Sequence, residues 1–379
     1  MAKQKSISKR IQKKEIVLFL LAVLVGTVLS ECALQILHKV HPSFIIKKRI
    51  GGNHPADLVH HSDVIDYELT PNFKGRDINP NGDFDVQVII NTDGIRDFEE
   101  ELNPEQFKIM IIGDSIMYGE GVKLEENFPA ILEKRLQETV NASARVIKAG
   151  VPGYSERQAL DLLESKFELF KPQVVILGVT PTESWRNVTG YRNEQGFIVD
   201  SRLKKQYFRF GNELFASNIQ SRPLAYLEAW SEAHFLLPTF LRQRMKFITE
   251  KLSHRRKVES AQIEETEINS LELLPTIGQL DRFLLLSDKL NFTPVLFIKG
   301  YRLQAGRIIS DYAKERGAAA LDLAPLFKVG EGKVLYTFPH DGHWNSSTHK
   351  MVSEILYNFL VTSVIPAYAG VTVEKIKAA

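Results

Sequence analysis

From Phe107 onward, short apolar runs alternate with stretches of helical periodicity, and this alternation constrains the fold more than any other feature of the chain. Residues 107–112 (FKIMII) form an apolar run ending in glycine, as a strand buried on both faces does. Residues 128–139 read as a helix and 144–148 as the next strand. Ser155-Glu156-Arg157-Gln158 has the form of a capping box and opens a helix reaching about Phe170. Residues 173–177 (QVVIL), 293–298 and 319–323 supply three further strands. Between the last two, 302–316 is a helix stopped by Gly317, and 347–360 is the final helix. Five strands with crossover helices predict an α/β fold: a three-layer α/β/α sandwich around a five-stranded parallel sheet, binding ligands beyond the strands' carboxyl ends.

Residues 186–290 are too long for a single crossover. Their aromatic-rich helical patterns at 223–252 and 259–290, separated by the basic run His254-Arg255-Arg256-Lys257, predict an inserted helical cap. The basic run reads as a solvated helix end, with contact to anionic lipid as the second reading. Residues 40–105 are rich in His, Asn, Gly, Pro and Asp and read as an irregular stalk leading into a small β unit. Within that unit, 84–90 alternates as a strand does, and Asn91-Thr92-Asp93-Gly94 is a turn.

Ahead of the stalk, Lys3, Lys5, Lys9, Arg10, Lys13 and Lys14 precede an apolar run over 16–37 that is interrupted chiefly by Ser30, Glu31 and Gln35. At about 1.5 Å per residue, a helix of that length crosses a hydrocarbon core ~30 Å thick. The purest stretch, 16–29, also has the length of a signal-peptide core. No small-x-small cleavage site follows it, and Glu31 stands where a lipoprotein signal requires a small residue. The reading is therefore a single-pass anchor, with Glu31 near the far interface because a carboxylate is costly in lipid. The leading basic cluster outweighs Lys39, Lys47, Lys48 and Arg49, which puts the amino terminus in the cytoplasm and the bulk of the chain outside.

Composition narrows the remaining classes. Forty-eight Lys+Arg against 46 Asp+Glu leave a formal charge of +2, so the chain carries no bulk electrostatic footprint for nucleic acid. Its single cysteine, Cys32, excludes an intramolecular disulfide and any Cys-rich zinc or iron–sulfur site.

Two segments carry chemistry. Gly113-Asp114-Ser115 follows the first central strand, so Ser115 presents its hydroxyl at the ligand edge with its own backbone N–H open to an oxyanion. Pro339-His340-Asp341-Gly342-His343-Trp344-Asn345 lies between the last strand and the last helix, and the topology can return it to the same edge. A neutral imidazole is the natural base for a serine hydroxyl, and a carboxylate orients it; Asp341 and His343 form such a pair. The competing readings are a polar turn capping the last helix, and a metal group of His340, Asp341, His343 and His349, whose spacing matches no strong zinc pattern. Asp114 reads as a turn stabiliser, His349 as structural, and Trp185 and Trp344 as packing or site-lining aromatics.

These segments resemble the SGNH/GDSL hydrolase superfamily, specifically its membrane-anchored bacterial envelope members, over about 63–360. Ile111-Ile112-Gly113-Asp114-Ser115-Ile116-Met117-Tyr118-Gly119 resembles the first block and implies Ser115 as nucleophile. Ala149-Gly150-Val151-Pro152-Gly153-Tyr154-Ser155 resembles the second and implies the Gly153 N–H as an oxyanion donor. Asp341-Gly342-His343-Trp344-Asn345 resembles the fifth and implies the Asp–His pair, while Asn91-Thr92-Asp93-Gly94-Ile95-Arg96 resembles a segment ahead of the catalytic domain in anchored members. Two positions depart from the pattern. Thr182, in Gly178-Val179-Thr180-Pro181-Thr182-Glu183, stands where the family has an asparagine oxyanion donor. The usual Asp-x-x-His is here Asp-x-His, as in some polysaccharide acetyltransferase relatives, with His340 in the place of the more distant acid.

The resemblance implies a flavodoxin-like sheet order and a Ser115–His343–Asp341 esterase without metal or organic cofactor. It also implies an acylated envelope glycan or lipid as substrate, with Thr182 assisting at the oxyanion. Acyl transfer by the same residues, and a non-catalytic glycan-binding or scaffold role, are the alternatives. The expected organisation is a basic tail (1–15), an anchor (16–38), the stalk and β unit (39–105), the hydrolase domain (106–362) with its insertion at about 186–290, and a tail (363–379).

Overall fold

The computed structural model describes residues 13–40 and, with short gaps, 57–181, 187, 206–245, 270–327 and 336–366. Helix α1 (Lys13–Val40) is long and apolar enough to cross a membrane. Two antiparallel hairpins follow, β1 (Val59–Ser62) with β2 (Asp66–Leu69), and β3 (Lys74–Ile78) with β4 (Asp85–Ile89). The central sheet begins with β5 (Lys108–Gly113), the short helix α2 (Ser115–Tyr118), α3 (Phe128–Thr139) and β6 (Arg145–Gly150). Next come α4 (Glu156–Phe170), β7 (Val174–Val179), the hairpin β8 (Gln206–Phe210) and β9 (Glu213–Ser217), and α5 (Arg222–His234). Then α6 (Leu274–Leu290), β10 (Thr293–Ile298), α7 (Leu303–Glu315), β11 (Ala319–Asp322) and α8 (Ser346–Ser363) complete the described elements.

The sheet order is β11-β10-β7-β5-β6, and every pairing is parallel. Read from the β6 edge in order of appearance this is 2-1-3-4-5, the doubly wound order whose switch point lies beside the first strand. The expected five-stranded three-layer sandwich is the observed fold. Its two cores follow from strand pleat, since successive side chains leave opposite faces. Ile109, Ile111, Val174, Ile176, Val295 and Phe297 point to α3 and α8, whose Phe128, Leu132, Leu136, Val352, Leu356 and Leu360 complete one core. Met110, Ile112, Val175, Leu177, Leu296 and Ile298 point to the other, shared with α4, α6 and α7.

Three features differ from expectation. The stretch expected as a stalk and small β unit is, over 57–99, integral to the sandwich: Leu58, Ile65, Tyr67, Leu69, Val88, Ile90 and Ile95 are buried in the same core as the sheet. The apolar alternation in these short strands has somewhere to go, namely the outer flank of α4 and the loops above β6. Second, α6 lies inside the stretch expected as a cap, yet Leu280, Phe283 and Leu286 join the sandwich core. It is the crossover helix that a parallel step from β7 to β10 requires. Third, the β8–β9 hairpin was not expected, although Gly211-Asn212 between two β-rich runs is a hairpin signal. The basic run at 254–257 and the tail beyond 366 lie outside the described residues.

Candidate active site

Ser115 is the first residue of α2, directly beyond the carboxyl end of β5. Asp114 accepts from the Ile116 N–H at 3.0 Å as N-cap of that short helix, while its other oxygen accepts from Lys299 Nζ at 2.7 Å. Lys299 follows β10, two strands from β5 in the sheet, so the far side of the switch region fixes the turn that carries Ser115. Asp114 is therefore a structural residue of the turn. Gly150, at the end of β6, makes room for α2: a Cβ there would lie 2.2 Å from the Tyr118 nitrogen and 2.4 Å from the Met117 carbonyl carbon. From the other side, the buried Arg96 donates to the carbonyls of Tyr118, Gly119 and Val122. A four-residue helix has little stability of its own; here Lys299, through Asp114, steadies its start and Arg96 holds its end.

The loop before α8 brings the second half of the site. His343 Nε2 lies 2.8 Å from Ser115 Oγ. The Nδ1 side of the ring meets Asp341 Oδ1 in a short contact, and the His343 backbone N–H donates to the same oxygen at 3.0 Å. The Asp-x-His spacing thus lets one carboxylate oxygen hold both the ring and the backbone of the histidine two residues on. Burial works against the Asp341 charge, but the His343 contacts and a hydrogen bond from Asn79 outweigh it and hold its carboxyl below the usual carboxylate range. Asn345 caps α8 through the Thr348 N–H at 3.0 Å. His340, which takes the more distant acid position, turns away to Asp83, with Nδ1 2.8 Å from Oδ1.

Ser115, Asp341 and His343 therefore converge, and the sequence had singled out all three. Gly153 sits in the loop after β6, exposed and at φ +81°, and its N–H has no acceptor among the described residues. The positive φ is one that glycine adopts freely. Register pairs Gly113 with Gly150, so this loop and Ser115 leave adjacent strands at the same sheet edge. Thr182, Glu183 and Trp185 lie outside the described residues. Just ahead of them, the Thr180 N–H donates to the Glu156 carboxylate at 3.2 Å, and burial pushes that carboxyl above its ordinary pKa. Trp344 is buried among Phe128, Phe297 and Phe327 and packs rather than lines the site.

Several residues were not anticipated. Glu120, buried, brings Oε2 to 3.2 Å from His343 Nε2. It is adjacent to the Ser115 block, but nothing in the sequence marks its carboxylate as facing the imidazole. Asn79 donates to Asp341 Oδ2 at 3.2 Å, and the Asp83 carboxylate also accepts from the His340 N–H at 2.8 Å. Tyr67 donates to the Pro152 carbonyl at 2.8 Å, beside Gly153. All three of these come from the β unit before the sandwich. Among the described residues, Glu120, Asp341 and His343 are a group of potential metal donors, with their ligand atoms within 4.8 Å of one another. His349, which sequence proximity grouped with them, is buried and stacks on Phe128, accepting from the Phe128 N–H at Nδ1.

No family model matches the chain, and no curated protein matches it. Solved structures similar to it include TesA, at 11% identity and a TM-score of 0.37, covering 67% of this chain and 97% of that one. A catalytic mutant of Axe2, an acetylxylan esterase from Geobacillus stearothermophilus, aligns at 14% identity and a TM-score of 0.35, covering 69% and 96%. The psychrotrophic esterase EstA from Pseudoalteromonas sp. aligns at 12% identity and a TM-score of 0.36, covering 68% and 98%.

Proposed function

We propose that this chain is a membrane-tethered serine esterase of the SGNH/GDSL type, acting on O-acyl, chiefly O-acetyl, esters of an envelope glycan or lipid. The observation that carries the reading is the 2.8 Å approach of His343 Nε2 to Ser115 Oγ, with Asp341 on the far side of the ring. Nucleophile, base and orienting acid in this sequence of contacts are what acyl transfer needs.

In the proposed cycle Ser115 Oγ attacks the ester carbonyl carbon while its proton passes to His343 Nε2. Asp341 stabilises the imidazolium and fixes the tautomer that leaves Nε2 free to accept. The Ser115 and Gly153 N–H groups, with Thr182 assisting, take the oxyanion. Collapse breaks the bond to the alcohol, which leaves with the proton from Nε2. Water then attacks the acyl-serine and gives its proton to His343; collapse breaks the bond to Ser115 Oγ, which takes that proton back from Nε2 as the acid is released. A sugar hydroxyl in place of water gives a new ester by the same steps, which is the acyltransferase variant. The tether is α1, supported by its length, its hydropathy and the basic residues ahead of it.

The test is turnover of p-nitrophenyl acetate and butyrate by the full chain in detergent. Release of p-nitrophenol that both Ser115→Ala and His343→Ala abolish is the expected result. A folded chain with no turnover on any ester would favour the glycan-binding or scaffold role instead.

A further inference from the structure

Helix α5 is built inside out. By the 100° helical step, Tyr226, Trp230, Leu227 and Leu224 occupy one side, roughly 160° wide. That side faces outward: Leu224 is 56% exposed, Tyr226 50% and Leu227 57%. The inward side, against the β8–β9 hairpin, holds the small Ala225 and Ala229 together with Glu232, which pairs with Arg242. The apolar exposure continues through Phe235, Leu241 and Met245. A water-soluble helix places its large apolar residues the other way round. An exposed patch of this kind marks a surface that something covers.

The covering surface is indicated by what the patch is attached to. Glu31 of α1 accepts from the backbone N–H groups of Leu236 and Leu237, each at 2.9 Å, at the start of a helical turn over 237–242. Three residues on, Leu34 packs against Leu236, with Leu237 and Phe240 around it. A carboxylate in an otherwise apolar helix is tolerated where its charge is met by donors, and here the amides meet it. In a helix that begins at Lys13 and crosses a ~30 Å core, Glu31 falls at the far boundary. Leu236 and Leu237 share that depth, and α5 ends at His234, immediately beside them. The outward side of α5 carries Tyr226 and Trp230, whose rings combine apolar body and polar tip as residues of the headgroup layer do.

We infer that α5 and the segment through 245 form an interfacial element lying in the outer membrane–water boundary beside the anchor, with the lipid surface covering Leu224, Tyr226, Leu227 and Trp230. The inference rests on the reading of α1 as a membrane span. It would hold the sandwich against the bilayer through a second contact, in addition to the tether.

The test uses the full chain with Cys32→Ser, reconstituted in phosphatidylcholine vesicles and carrying one environment-sensitive fluorophore at a time. Probes go on Leu227→Cys or Leu224→Cys in α5, Leu24→Cys in α1, and Leu285→Cys, an exposed position on α6. Brominated acyl chains quench from the lipid and iodide quenches from water. The expected result is lipid quenching at 24, 224 and 227, with iodide quenching at 224 and 227 several-fold below that at 285. Lipid quenching at 24 with free iodide access at 224 and 227 overturns the inference and leaves the anchor standing. Protection of 224 and 227 from both quenchers overturns it in favour of a protein cover, such as a second copy. Loss of lipid quenching at 24 overturns the anchor and this inference together.

Discussion

The side-chain amide of Asn79 donates to Asp341 Oδ2 at 3.2 Å across 262 residues of sequence, joining the β3–β4 hairpin to the loop that carries His343. The same β unit holds the loop after β6 through Tyr67 and α2 through Arg96. The unit before the sandwich is thus a frame for the candidate site, touching the segments that carry Ser115, Gly153 and His343.

Asn79→Ala removes one of the contacts that outweigh burial at Asp341. A hydrogen bond to a charged group contributes about 1.5 kcal/mol or more, so the expected fall in kcat/KM for p-nitrophenyl acetate is about tenfold. The fold should persist, as judged by an unchanged far-ultraviolet circular dichroism spectrum. Full activity in the variant would show that Asp341 needs no help from the β unit.

Glu120 stands 3.2 Å from His343 Nε2, the nitrogen that also faces Ser115, while Asp341 faces Nδ1. A carboxylate beside the ring helps to stabilise the imidazolium that forms as Ser115 gives up its proton. Glu120→Gln keeps the size of the side chain and removes that charge, so kcat/KM for p-nitrophenyl acetate should fall several-fold with the far-ultraviolet circular dichroism spectrum unchanged. Turnover equal to the parent chain's would mean that Glu120 does not act on the ring.

Gly150→Ala places a methyl group 2.2 Å from the Tyr118 nitrogen, where only backbone can give way. Overpacking of this kind costs roughly 1–3 kcal/mol. It also lifts α2 and with it Ser115, so kcat should fall well beyond the loss expected from instability alone. Thermal unfolding and ester turnover, measured on the same preparation, separate the two effects.

His349 is buried, and desolvation, followed by the nearby Arg96 and His343, lowers its pKa from 6.5 to about 3. In the folded chain it stays neutral, whereas in the unfolded chain it takes up a proton below about pH 6.5. Stability from this residue is therefore complete above that pH and is lost progressively as pH falls toward 3, by up to about 5 kcal/mol. His349→Gln, which keeps an acceptor for the Phe128 N–H, should flatten the acid side of a plot of urea midpoint against pH. An unchanged slope would assign the acid sensitivity to other groups.

The sandwich was legible because its strands are short continuous apolar runs and its helices carry local stop and start signals. Residues 293–298 form β10 as expected, and the Ser155 capping box opens α4. Ser115, Asp341 and His343 were legible for the same reason, each lying next to a recognisable element end. The roles of Asn79, Tyr67 and Glu120 were not, because they depend on contacts between segments far apart in sequence or on which way a side chain turns. That the β unit packs into the sandwich core was not legible, because its strands span only four or five residues each, too few for periodicity to reveal a buried face. Residues 274–290 read as part of a cap because a long insertion hides which of its helices closes the crossover.

The central claim is that Ser115 is a nucleophile activated by His343. The most direct measurement is reaction of the full chain in detergent with a fluorophosphonate, followed by mass spectrometry of its peptides. The account predicts a single covalent adduct on the peptide containing Ser115, absent from Ser115→Ala and strongly reduced in His343→Ala. A folded chain that resists the reagent, or carries it on another residue, would contradict it.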